Sequence, residues 1–256
     1  MEHQQYVNIY RRMKQTAGGI YYPVGSDCFL YQDYGDDLES ASDHSSGGND
    51  GSISGAVFAN SGLSFDGIDD FVNVVKKANQ QIVSAMSYYI WIKPTSCRGA
   101  WDGFLGKLTT GSWGAGYGAR FLTSYNEGDS IGLFVNGYSG GTIAFHSSDD
   151  LSPSSSLGHW SFFAGTWDKS DGSGEMRVYY DSHVTGLVQE AIYSGGAPNA
   201  YALDTSIPDV DLTIGRIDTA DYDYNGIVGQ ILLFNVKKTL EDINDFFDFT
   251  KARYSA

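Results

Sequence analysis

From Phe29 to Phe234 this chain is built from short runs of β-branched and aromatic residues, each closed within a few positions by Gly, Asp, Asn or Pro. That rhythm leaves few folds open. Many short strands with frequent turn signals pair as antiparallel neighbours and bury one face against a second sheet. The runs are Phe29–Tyr31, Leu63–Phe65 (ending at the turn Asp66-Gly67), Phe71–Val75 and Tyr88–Pro94. Gly103–Lys107, Ala119–Thr123 and Ser130–Val135 follow, the last ending at the hairpin dipeptide Asn136-Gly137. Thr142–Phe145, Trp160–Trp167, Met176–Tyr180, Asp211–Ile214 and Gly226–Phe234 complete the set. Residues 33–55 read as one long polar loop. Thr239–Arg253 reads as the one helix, with Thr239 as its cap, Asp242 in the first turn, and an apolar stripe of Leu240, Ile243, Phe246 and Phe247.

Within the strands, Ile90 and Ile92 alternate with Trp91, and Phe162, Ala164 and Thr166 alternate with Phe163, Gly165 and Trp167. This is the period of two that a sheet requires. The 256 residues suffice for a single large sandwich, and no internal repeat divides them. We therefore expect two parts: a basic arm, residues 1–22, and one domain, residues 23–256. The arm holds Arg11, Arg12 and Lys14, the densest basic cluster in a chain of net charge −15. Val7, Tyr10 and Met13 sit at near-helical spacing before Gly18-Gly19. The readings are a frayed terminus, or an arm that docks on an acidic neighbour, either another copy or a scaffold protein.

The charge also excludes partners. A chain this acidic repels phosphate backbones, so nucleic acid is not an expected ligand. No run of about 18 apolar residues occurs, so no helical membrane insertion is expected. Met1–Tyr22 lacks the apolar core of a secretory signal. The expectation is that the protein acts inside the cell, or leaves it by assembly or lysis rather than by ordinary secretion. Cys28 and Cys97 allow one disulfide or none; two free, buried thiols are the preferred reading.

Several segments, in order, resemble the laminin G-like, concanavalin A-like jelly-roll family, which includes the pentraxins. Residues 43–51 (DHSSGGNDG) are similar to its D-x-S-G-x-x-N-D-G turn, and residues 63–72 (LSFDGIDDFV) to its L-x-F-D-G-x-D-D-Y-V segment. Residues 159–168 (HWSFFAGTWD), 212–216 (LTIGR) and 225–227 (NGI) look like W-H-H-V-A-G-T-Y-D, L-x-I-G and F-x-G-x-I. Residues 239–243 (TLEDI) resemble the start of its closing helix. Two departures stand out: Ser182 where the family's Y-V-D-G turn has Gly, and Val228 where an acidic residue is usual. The resemblance implies an all-β, antiparallel jelly-roll β-sandwich with one short C-terminal helix.

Related sandwiches include glycoside hydrolases. Retaining enzymes hold two carboxylates about 5–5.5 Å apart. On one sheet face that demands E-x-D-x-E, and none of the six Glu lies in such a pattern. Asp69-Asp70 and Asp149-Asp150 are adjacent and would diverge on a strand; turn chemistry is the simpler reading. No G-x-S-x-G occurs, and none of the five His lies beside a nucleophile motif. The expectation is a non-enzyme.

Calcium is the one cofactor expected. Asp43, Asn49, Asp50, Asp66 and Asp69 form an oxygen-rich set on the family-like turns, with local Asx-turn hydrogen bonding as the competing explanation. Asp221, Asp223 and Asn225 form a second set that opens like an EF-hand loop. The twelfth position is Leu232, so a true EF-hand is rejected. Sugar sites pair an aromatic platform with planar polar groups. Trp101, Trp113, Tyr117, Tyr125 and Tyr138, with Arg120, Asn126 and Asn136, are the candidates for a glycan site, and closing the ends of the sandwich is their alternative role. The functional expectation is a non-catalytic surface or adhesion component of a larger assembly, a phage or virus particle, presenting a glycan- or partner-binding jelly roll. A free calcium-dependent lectin is the alternative, and a polysaccharide-degrading enzyme ranks last.

Overall fold

The structure, a computed structural model, describes residues 15–16, 19–20, 22–35, 39–59, 61–82, 84–96, 102–108, 116–122, 130–136, 157–168, 176–181, 189–192, 210–217 and 223–254. In chain order the strands are β1 (Gln15–Thr16), β2 (Gly19–Ile20), β3 (Cys28–Asp33), β4 (Gly51–Ser54), β5 (Val57–Ala59), β6 (Gly62–Asp66), β7 (Phe71–Val74) and β8 (Ala85–Pro94). They continue with β9 (Gly103–Leu108), β10 (Gly116–Leu122), β11 (Ser130–Asn136), β12 (Ser161–Asp168), β13 (Met176–Asp181), β14 (Gln189–Ile192), β15 (Leu212–Ile214) and β16 (Asn225–Phe234). A 3-10 turn covers Ala78–Gln80, and helix α1 covers Leu240–Tyr254.

Among the described residues these strands form a six-stranded sheet, β11-β10-β9-β15-β7-β4, and an eight-stranded sheet, β14-β13-β12-β8-β16-β6-β5, in which β3 also pairs with β16. Every strand pair is antiparallel. The fold is the antiparallel β-sandwich that the strand rhythm and the family motifs imply. No helix among the described residues is long and apolar enough to cross a membrane.

Strand alternation builds two cores. On β8, Tyr88, Ile90 and Ile92 point between the sheets, with Ile231 and Leu233 of β16 and Phe163 and Trp167 of β12. Tyr89 and Trp91 point the other way, with Phe162, Ala164, Leu232 and Phe234. A strand that is apolar on both faces needs cover on both. The six-stranded sheet covers one face; α1 covers the other with Ile243, Phe246, Phe247 and Tyr254. The helix begins as expected: the Thr239 hydroxyl accepts from Asp242 N–H at 3.2 Å, and Asp242 Oδ2 accepts from Thr239 N–H at 2.9 Å. Leu240 departs from the expected stripe and is 40% exposed, because it lies at the first helical position, short of the sheet.

One further expectation changes. The polar loop of residues 33–55 contains β4, whose G-S-I-S sequence has weak local strand preference. Pairing with β7 and packing of Ile53 on the core make it a strand. Within the basic arm, β1 and β2 pair as a small hairpin; Val7, Tyr10, Met13, Arg11, Arg12 and Lys14 lie outside the described residues. Cys28 is a free, buried thiol whose pKa burial pushes up, and Cys97 lies outside the described residues. So does Thr142–Phe145.

Candidate functional site

The register assigns each connection to an end of the sandwich. Phe71 opens β7 opposite Ser54, Ile214 pairs with Val72 and Leu105, and Gly103 pairs with Arg120. Asn225 pairs with Asp66, Gly226 with Pro94, and Ser161 with Ile92. The turn of residues 66–70 therefore shares one end with the strand termini that lead into connections 95–102, 123–129 and 217–224. The opposite end gathers Gly51, Val74 and the termini Leu108 and Gly116.

At the first end, β6 finishes at Asp66 and the chain reverses through Gly67, at φ +73°, a backbone state that glycine adopts without cost. A side chain there would also press on Asn225, whose Cβ lies 2.7 Å from the position a Gly67 Cβ would take. Asp66 Oδ1 accepts from Ile68 N–H, and Asp70 Oδ2 accepts from Asp66 N–H, each at 2.8 Å. The turn thereby gathers oxygens of Asp66, Asp69 and Asp70 within 4.8 Å of one another. Asp66 and Asp69 are exposed and Asp70 is buried. Burial, and then the charges of Asp66 and Asp69, raise the Asp70 pKa, despite the hydrogen bond it receives. Such a cluster suits a hard divalent cation, which takes carboxylate oxygens at about 2.3–2.6 Å.

The sign of that shift yields a prediction. A carboxyl whose folded pKa is raised binds its proton more tightly in the native state. Ionisation of Asp70 should therefore cost stability as pH rises from the unfolded carboxyl pKa through the raised folded one, and acidification should recover it. Asp70→Asn should remove this component of the pH–stability profile in metal-free buffer, measured by thermal unfolding between pH 3 and 7. An unchanged profile in the variant would show that Asp70 is not strained.

The calcium set read from sequence divides between the two ends. Asp43, Asn49 and Asp50 lie at the opposite end, since Gly51 pairs with Val74 while Ser54 pairs with Phe71. Three residues of strand rise put about 10 Å between those positions. The oxygens of this group serve the local backbone. Asp43 Oδ1 accepts from Tyr31 and Ser45 N–H, its Oδ2 from the Ser45 hydroxyl and Asn49 N–H, and Asp50 Oδ1 from Asp43 N–H. Asn49 is buried; its amide donates to Phe29 C=O and accepts from Gln80. Asx-type bonding thus occupies Asp43, Asn49 and Asp50, while Asp66 and Asp69 join Asp70.

The second set also separates. Asp221 lies outside the described residues. Asp223 accepts from Arg216 Nε at 2.6 Å, and that guanidinium stacks 4.5 Å above the Phe71 ring. Asn225 stands across from Asp66, beside the turn. Asp70 was not in the expected calcium set; the turn read at Asp69-Asp70, following Asp66-Gly67, was the available signal that it joins them.

Among the glycan candidates, Tyr117 is corrected. It is fully buried, its hydroxyl donates to Gln80 C=O at 3.1 Å, and it is a core residue at the far end. Arg120 and Asn136 occupy β10 and β11, opposite Gly132 and Gly116. Trp101, Trp113, Tyr125, Asn126 and Tyr138 lie outside the described residues. Residues 102–103 border the segment of Trp101, and Leu122 and Ser130 border that of Tyr125 and Asn126; both borders lie at the end that holds the tri-aspartate turn.

Residues 66–244, from the first carboxylate of that turn into α1, match the model of the concanavalin A-like lectin/glucanases superfamily. The chain belongs to this superfamily. No curated protein matches it. Among solved structures, this superfamily member is similar to domain 4 of an extracellular arabinanase from Geobacillus stearothermophilus, solved with arabinotriose. The TM-score is 0.58 at 14% identity, covering 86% of this chain and 97% of that one. It is similar to Trypanosoma rangeli sialidase, solved as a covalent intermediate with 2,3-difluorosialic acid: TM-score 0.63, 13% identity, 99% of this chain and 39% of that one. It is also similar to the binding domain of botulinum neurotoxin DC, solved with rat synaptotagmin II: TM-score 0.56, 11% identity, 87% of this chain and 51% of that one. The chain thus spans about half or less of the last two.

Proposed function

We propose that this chain is a non-catalytic carbohydrate-recognition module whose ligand end is the one carrying Asp66, Asp69 and Asp70. One observation carries the reading: a preformed cluster of three carboxylates stands at the end of the sandwich where the connections bearing Trp101, Tyr125 and Asn126 begin. In this reading the carboxylates hold calcium, and the cation orders the turn for a sugar that the aromatics stack upon. The arabinanase domain solved with arabinotriose supports a sugar ligand for a chain of this size and shape. The setting we propose is display on the surface of a larger assembly such as a virus particle, where repetition turns modest affinity into avidity.

The test is retention on immobilised arabino-oligosaccharides and sialylated glycans, in calcium and then in EDTA. We expect millimolar to micromolar affinity that falls at least about tenfold in EDTA, and Asp69→Ala to reproduce the EDTA result in calcium buffer. Retention unaffected by EDTA and by Asp69→Ala would remove calcium from the mechanism. No retention on any glycan would remove the carbohydrate reading. Turnover of a polysaccharide would replace a module with an enzyme.

A further inference from the structure

The end of the sandwich that carries the tri-aspartate turn also holds a guanidinium fixed on several sides. On β7, Val72 and Val74 are buried between the sheets, so Phe71 and Asn73 face outward, half-buried. β15 pairs with β7 there. Just past it Gly215, at φ +85°, turns the chain, and the Arg216 C=O accepts from the Thr213 hydroxyl at 2.9 Å. The Arg216 side chain lies over the outward Phe71 ring, its Cζ 4.5 Å from the centroid. Its Nε donates to Asp223 Oδ1 at 2.6 Å, and Asp223 is buried, so the carboxylate is a firm anchor. Phe71 follows Asp70 directly, which places the guanidinium at the tri-aspartate end.

The anchoring leaves one edge open, and that edge is made of donors. Arginine–carboxylate pairs are frequently bidentate. Asp223 takes only the Nε hydrogen; the Nη groups make no hydrogen bond among the described residues, and the side chain keeps 19% exposure. Stacking and the Nε bond have already removed much of the side chain's freedom, so a ligand on the Nη edge pays little ordering entropy. A guanidinium has no acceptor, so the group it meets must present a pair of acceptor oxygens. Charge separates the two sugar chemistries that supply such a pair. A ligand carboxylate would approach a guanidinium already neutralised by Asp223, near Asp66, Asp69 and Asp70, on a chain of net charge −15. Those four aspartates outweigh Arg216 and a divalent cation on the turn together. Adjacent hydroxyls of a neutral sugar accept the same two bonds without that repulsion and without the cost of desolvating a charge.

We propose that Arg216 determines the specificity of the ligand end: its Nη groups donate to adjacent hydroxyls of a neutral sugar. Asp223 is the positioning residue, which holds the guanidinium in place and cancels the charge that would attract a carboxylated sugar. This rests on the carbohydrate reading above and adds the class of sugar to it.

The test measures affinity of the full chain, in calcium buffer, for neutral arabinose and hexose oligomers and for the C6-oxidised uronate forms of the hexoses. The wild-type chain should prefer neutral oligomers to uronates at least about tenfold. Arg216→Lys keeps a cation beside Asp223 but loses the planar fork, and should weaken neutral binding at least about tenfold. Asp223→Asn keeps an acceptor for Nε and removes the charge. It should raise uronate binding relative to neutral binding at least about fivefold, a shift in preference that a purely structural role does not produce. A third readout needs no variant. The guanidinium nitrogen resonances of wild-type Arg216 should move saturably with a neutral oligomer, Nη more than Nε. Equal binding of neutral and uronate forms, unchanged binding in Arg216→Lys, or unmoved Arg216 resonances at saturating sugar would each overturn the assignment and leave the carbohydrate reading standing. A chain that binds no sugar at all would overturn both.

Discussion

Trp91→Ala is expected to cost about 3–5 kcal/mol of folding stability, the largest effect of any single substitution considered for this chain. Trp91 lies at the centre of the second core, on the strand that joins β12 to β16, and is 3% exposed. Its indole stacks on Tyr254, with centroids 4.6 Å apart, and on Phe247 at 5.7 Å. Its Nε1–H donates to Thr250 Oγ1 at 2.8 Å. Alanine would remove the ring, leave a cavity that fixed strands cannot close, and strip α1 of its main contact with the sheet. Trp91→Phe keeps most of the buried area and should cost about 1–2 kcal/mol, chiefly the hydrogen bond and some packing. Urea unfolding measures both. Amide exchange in Trp91→Ala should show α1 deprotected before β8 and β16, because the inter-sheet core stays intact. A loss under about 1 kcal/mol would mean that the helix is held by other contacts.

Asn49→Ala should cost about 2–4 kcal/mol, equally in calcium and in EDTA. Asn49 is 1% exposed, and its amide joins three parts of the chain. It donates to Phe29 C=O on β3, accepts from Gln80 Nε2 at 2.8 Å, and its own C=O accepts from Gln32 Nε2 at 3.3 Å. Gln80 in turn accepts from the fully buried Lys107, whose ammonium also reaches Val210 C=O at 2.5 Å. The network ties β3, the 3-10 turn and β9 together at the end away from the tri-aspartate turn. Alanine would leave a buried carbonyl and a buried amide each short of a partner, at about 1–3 kcal/mol apiece. If Asn49 were a metal ligand, the loss would appear in calcium and disappear in EDTA. Comparing unfolding curves in the two buffers decides between these roles.

Much of the fold was legible because its signals are local. Gly67 in Asp66-Gly67 announces the turn, Thr239 and Asp242 announce the helix start, and the alternation of Ile90 and Ile92 with Trp91 announces a packed strand. Those signals act within a few residues, so they survive without knowledge of the rest. The site was legible only in part. Asp66 and Asp69 were singled out, yet they were grouped with Asp43, Asn49 and Asp50. Nothing in residue types separates carboxylates that face one another from carboxylates that bond their own loop. Tyr117 looked like a loop aromatic because Gly114, Gly116 and Gly118 surround it, but pairing of β10 with β9 and β11 carries its ring inward.

By itself, then, the sequence determined the strand rhythm, the C-terminal helix with its cap, the glycine-enabled turn and a net charge of −15. All of these follow from backbone preference, side-chain period and summed charge. Tertiary structure alone decided that β4 is a strand and that α1 covers the outer face of the larger sheet. It also decided that Asp70 completes a cluster with Asp66 and Asp69 while Asp43 and Asp50 do not. The reason is register. Which residues meet across strands distant in sequence depends on how every strand between them pairs, and no local preference carries that information.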